Sequence, residues 1–147
     1  MRTLSVYRHG VTMGTAPRLN PTAPEKRGEC KGWTASATRR NVAFLRSIPK
    51  DSLTGDGEAI TLTLRECPKS YNDWAAIRTA LIKRLFRAGA IRIHWVTEWQ
   101  RRGVPHLHAC IWWGVPASEY RGAVIHHWTE LAGAYGVSPK AQTCKPI

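Results

Sequence analysis

Residues 97–109 (TEWQRRGVPHLHA) hold the side chains best suited to chemistry. His106 and His108 are two apart in a stretch of alternating character, and on a β-strand such residues point from the same face. Two imidazoles placed in this way can share one cation. Glu98 joins them if the intervening loop has the right length. A three-residue loop, Arg101-Arg102-Gly103, built as a type I turn followed by Gly at positive φ, pairs Gln100 with Val104 and sets Glu98 opposite His106. Directly opposed residues share a face at roughly 5 Å between Cβ atoms, and His108 is one diagonal away. A two-residue loop would instead pair Glu98 with Pro105 and turn the carboxylate to the other face. In the first register Glu98, His106 and His108 are the expected metal ligands. A two-His, one-carboxylate set leaves coordination positions open for water and substrate, as a catalytic metal requires. The hard oxygen suits Mg²⁺ or Mn²⁺ presented to a phosphate, while imidazoles also accept Zn²⁺ or Ni²⁺, so the metal's identity stays open. His126, His127 and Glu130 contain a second such pairing at helical spacing, which reads as one packed and one solvated ring rather than as a site.

The elements that must position these groups are legible in outline. Ile91 to Gln100 and Val104 to Trp113 alternate as two strands joined by the RRG loop. Glu58 to Arg65 (EAITLTLR) is a third, with Ile60, Leu62 and Leu64 on one face and Ala59, Thr61 and Thr63 on a small polar one. The terminal VSPKAQTCKPI is a candidate for a further strand. Between these lie helices. One runs from Thr34 or Ser36 to about Ile48, with Val42, Leu45 and Ile48 inward; another starts at Ser70, Asn72 or Asp73 and carries Trp74, Ile77, Leu81 and Leu85 up to Gly89. A third carries Tyr120, Val124, Trp128, Leu131 and Tyr135. The expected fold is α+β, a central antiparallel sheet of about four or five strands flanked by helices. Residues 1 to about 30, rich in Gly, Pro and Arg, read as a basic, mostly irregular arm, and 31–147 as the domain proper.

Composition narrows the partners. The chain has 147 residues, 43% hydrophobic, with seven Trp, which is enough for one packed core. Lys and Arg number 22 against 10 Asp and Glu, a formal charge of +12, so the expected partner is a polyanion, nucleic acid first. Arg39, Arg40, Arg101 and Arg102 are the expected DNA contacts. Trp95, Trp99, Trp112 and Trp113 are candidates for stacking bases, with at least two expected in the core. No apolar run approaches the roughly 18 residues of a spanning helix, and the N-terminus has no secretory pattern, so a cytoplasmic location is expected. Cys30, Cys67, Cys110 and Cys144 form no C-x-x-C pair and read as reduced thiols.

From about Lys31 onward the chain resembles the HUH-type rolling-circle replication initiators, the Rep proteins of bacterial plasmids and phages. The resemblance is carried by KGW and the helix with Arg39-Arg40, by ITLTL, and above all by E-W-Q-R-R-G-V-P-H-L-H. That run is similar to the family's acidic ligand followed by RG, Pro and His-hydrophobic-His. It implies that Glu98, His106 and His108 hold a divalent metal that polarises the scissile phosphate of single-stranded or hairpin origin DNA. It also implies attack by a Tyr, leaving a 5′-phosphotyrosine and a free 3′-OH, with host replication proteins as further partners. The family's nucleophile is a helical Tyr followed three residues later by Lys, and Tyr7, Tyr71, Tyr120 and Tyr135 all lack that pairing. No catalytic residue is therefore assigned, and the resemblance puts the nucleophile beyond Ile147, in a segment this sequence does not include. The alternatives are a non-catalytic single-strand-binding module and a related transposase or relaxase domain.

Overall fold

A computed structural model describes residues 2–15 and 34–147. The chain divides after Ser52 into two compact units.

In the first unit, β1 (Arg2–Tyr7) and β2 (Gly10–Thr15) form an antiparallel hairpin around Arg8-His9, with Tyr7 paired to Gly10. This corrects the expectation of an irregular arm for residues 2–15; the remainder of that arm lies outside the described residues. The turn carries neither Gly nor Asn, the usual markers of a tight hairpin, so its local signal is weak. Helix α1 (Ala35–Ser47) is capped by Thr34, whose Oγ1 accepts from the Ala37 N–H at 3.1 Å. The His9 N–H donates to the Arg46 carbonyl at 3.2 Å, and Arg8 reaches Asp51 at 2.6 Å, so the hairpin turn is tied to the end of this helix. The expected inward stripe is not buried: α1 has no buried residue, and Leu45 is 41% exposed. One hairpin and one helix offer too little apolar area to close a core.

The second unit holds the main sheet. Strands β3 (Asp56–Thr63), β4 (Ala90–Trp99), β5 (Pro105–Trp113) and β6 (Thr143–Pro146) lie in the order β4-β5-β3-β6, all antiparallel. Strict alternation along β5 sends Pro105, Leu107, Ala109, Ile111 and Trp113 into the core and His106, His108, Cys110 and Trp112 to the other face. Helix α2 (Tyr71–Arg87) covers the core face together with α4 (Ala123–Ala132). Ser70 and Asp73 start α2 as a reciprocal capping box. Its buried stripe Trp74, Leu81 and Leu85 meets Trp128, whose ring packs edge-on to Trp74 at 6.1 Å between centroids. The fold is thus α+β, a four-stranded antiparallel sheet with flanking helices.

The expected single helix through Tyr120 and Tyr135 is broken into three pieces: α3 (Ala117–Tyr120), α4 and a 3-10 turn at Gly133–Tyr135. Gly122, at φ +84°, reverses the chain between the first two. The apolar spacing survives the break, because Tyr120, Val124 and Trp128 are all buried. No described helix is long and apolar enough to cross a membrane.

Candidate functional site

The β4–β5 turn sets the register. Gln100 N–H donates to the Val104 carbonyl at 3.1 Å, Gly103 N–H donates to the Gln100 carbonyl at 2.9 Å, and Gly103 sits at φ +75°. This is the three-residue loop, and Glu98 is accordingly paired with His106. A two-residue loop would have placed the carboxylate on the core face.

Strand β3 supports both imidazoles from the opposite side. Thr61 is paired with His108 and Thr63 with His106. Thr61 Oγ1 lies 3.1 Å from His108 Nδ1, which leaves Nε2 turned toward β4. There it is 3.0 Å from Glu98 Oε2, within ion-pair reach but off the direction of a hydrogen bond, so among the described residues Nε2 is a buried nitrogen without a hydrogen-bond partner. Thr63 Oγ1 lies 2.8 Å from His106 Nε2 and 3.3 Å from the Leu64 carbonyl. On the other side of the ring, His106 Nδ1 is 3.4 Å from the Gln100 side-chain amide nitrogen. The two rings stand 5.9 Å apart between centroids. Burial is the main cause holding His106 below the ordinary imidazole pKa, with His108 and Arg102 adding to it and Glu98 opposing. The neutral ring is the form that can offer a lone pair.

The four expected DNA-contact arginines fall into different settings. Arg39 and Arg40 are exposed on α1 in the first unit, Arg40 donating to Ser36 Oγ at 3.0 Å. Arg101 is exposed at the loop tip. Arg102 is exposed too, yet its guanidinium is engaged with Gln100 Oε1 and with the carbonyls of Leu64 and Arg65. It fastens the loop to the end of β3. Sequence reasoning missed this clamp, and with it Gln100, Thr61 and Thr63 as supports of the histidines. The polar face of ITLTL was visible; its pairing with the H-x-H strand, across more than forty residues, was not.

The tyrosines are equally varied. Tyr120 is stacked on Trp113 at 4.4 Å, and its hydroxyl donates to Asp56 at 3.4 Å. Burial, and then the nearby carboxylates, push it above the ordinary phenol range. Tyr71 is 65% exposed at the first residue of α2.

Among the described residues, one His and Glu set has its ligand atoms all within 4.8 Å of one another, and it is His126, His127 and Glu130 on α4. Arg84 already occupies Glu130 at 2.5 Å there.

Residues 58–142 match the ORF2 family of replication-associated proteins, and the chain belongs to that family. It is 46% identical over its full length to the replication-associated protein of Pseudomonas phage Pf3, covering 54% of that protein. Over 97% of its length it is 44% and 45% identical to candidate replication proteins of Xylella fastidiosa strains Temecula1 and 9a5c, covering 54% and 50% of them. The chain thus spans about half the length of the curated relatives it matches. No solved structure matches it.

Proposed function

We propose that the chain is the metal- and DNA-binding part of an HUH-type rolling-circle replication initiator, which binds single-stranded or hairpin origin DNA for nicking by tyrosine transesterification. The observation that carries this reading is the Glu98–His106 register, with His108 Nε2 3.0 Å from the Glu98 carboxylate and in no hydrogen bond among the described residues. Two imidazoles and a carboxylate are a donor set that fits one divalent cation, and Mg²⁺ or Mn²⁺ is the proposed ion. When bound, the cation would supply charge neutralisation at a phosphate oxygen. The protein's own part is orientation: Thr61 holds the His108 ring, while Thr63 and Gln100 hold that of His106. The basic surplus gives the phosphate backbone a salt-sensitive hold, with Arg101 at the loop tip beside the site. Family membership and the phage relative support the replication role.

A binding module without nicking activity is the second reading, favoured by the Tyr120 hydroxyl being held against Asp56 in a buried stack. Denaturing electrophoresis of the protein after incubation with labelled origin DNA and Mn²⁺ separates the two, because only the nicking enzyme yields a covalent adduct. The metal site itself is tested by calorimetry. Mn²⁺ affinity should fall by about tenfold or more in each of His106→Ala, His108→Ala and Glu98→Ala. Unchanged binding in all three would remove the site.

A further inference from the structure

The four Trp of β4 and β5 separate sharply. Trp113 is 1% exposed and stacked on Tyr120, and Trp112 is half-buried, whereas Trp95 and Trp99 are 38% and 55% exposed. Both belong to the β4 face that meets α2, with Thr97 between them bonded to Trp74 Nε1 at 3.2 Å. Four strand residues separate their attachment points by roughly 13 Å, so they address different bases rather than one. The Arg78 guanidinium lies over the Trp95 ring, 4.2 Å from its centroid. Strand β4 is the edge of its sheet. Glu98 lies between the two indoles in sequence and points from the other face.

We propose that Trp99 and the Arg78–Trp95 pair form a base-stacking platform for single-stranded nucleic acid, which crosses the β4 edge toward the face carrying Glu98. This deepens the proposed function but does not depend on a metal. Two accessible indoles, one of them layered with a cation, in a chain of +12 charge match the combination single-strand binders use: flat apolar faces for bases, and basic groups for phosphates. At Trp95 the guanidinium lies over one face of the ring, and such planes stack on bases as aromatic rings do. The two kinds of contact have different signatures. Loss of an indole removes affinity without altering counter-ion release, whereas loss of Arg78 reduces both.

The test is fluorescence anisotropy of a labelled oligothymidylate with the full chain in EDTA, across a salt series. Trp99→Ala and Trp95→Ala should each weaken binding by about 5- to 150-fold with an unchanged log–log salt slope. Trp99→Phe should recover most of the loss, and Arg78→Gln should lower the slope by about one. An abasic strand of equal length should bind the wild type as poorly as oligothymidylate binds the chain carrying both Trp95→Ala and Trp99→Ala. Equal wild-type affinity for the abasic and thymidine strands, or wild-type affinity in the doubly substituted chain, overturns the platform. Failure of Mn²⁺ binding would count against the metal centre alone and leave this result standing. Absence of any single-strand binding by the wild type overturns platform and nucleic-acid reading together.

Discussion

Two histidine pairs, each with a glutamate in reach, sit on different kinds of scaffold. His126 and His127 are consecutive on α4, with Glu130 Oε2 3.7 Å and 3.8 Å from their nitrogens. His106 and His108 are alternate residues on β5, and Glu98, paired with His106 on the neighbouring strand, reaches His108 with its carboxylate. By mutual distance the helical set is the tighter one. By every other measure it is the poorer. Its rings leave the helix about 100° apart, one 67% exposed and the other 23%, and its carboxylate is committed to Arg84. A cation arriving there would have to displace a guanidinium. The strand pair projects from one face, each ring held by a threonine hydroxyl from β3, beside a carboxylate that carries no arginine in an ion pair among the described residues. Proximity of donors is therefore a weaker guide than what already holds them.

The largest effect expected from this contrast is on metal affinity. His108→Ala should weaken Mn²⁺ binding by about tenfold or more, while replacing both His126 and His127 by Ala should change it less than about twofold, read by calorimetry under identical conditions. The reverse ranking would transfer the centre to α4. Next in size, Thr63→Val keeps the side-chain shape but removes the hydroxyl that hydrogen-bonds His106 Nε2. A loss of about tenfold in Mn²⁺ affinity is expected, with the far-ultraviolet spectrum unchanged. Gly103→Ala meets no atom within 4 Å, so its cost is the positive φ alone, about 1–2 kcal/mol in urea unfolding.

The smallest effect belongs to α4. Arg84 is the leading cause that lowers the Glu130 pKa. A depressed carboxyl contributes stability that is complete above its unfolded value, about pH 4.3, and fades as pH falls through the folded value below it. Arg84→Gln should therefore be slightly less stable than the wild type at pH 7, and indistinguishable from it in strong acid. Both groups are on the surface, so the difference in thermal midpoint should be small throughout.

What the sequence made legible was local. The RRG loop lies between two alternating strands, its Gly at the one position that demands positive φ, so spacing narrowed Glu98 to two registers, of which the three-residue loop gives the one with His106. Helix α2 was readable in its stripe and closing Gly89, while its start was narrowed to Ser70, Asn72 or Asp73, of which Ser70 is the cap. Contacts closed over long separations were not readable. Thr61 and Thr63 meet the histidines only once β3 is inserted between β5 and β6, and Arg102 meets Leu64 and Arg65 only after the same step. Two further misses have local causes. The Arg8-His9 turn lacks the residues that mark hairpins, and Gly122 was hidden inside an apolar spacing that continues across it.

The long outer side of β4 has a bearing on how the protein behaves as a colloid. Ten residues of strand present backbone donors and acceptors that no other described strand pairs, flanked by the exposed side chains of Ile91, Trp95, Val96 and Trp99. Such an edge invites a like edge from a second molecule. Mutual repulsion between chains of +12 opposes that approach, over a range of about 10 Å at 0.1 M salt and about 3 Å at 1 M. Dilute buffer thus keeps the molecules apart, and concentrated salt, which strips this repulsion while favouring apolar contact, is the condition under which the preparation becomes prone to clouding.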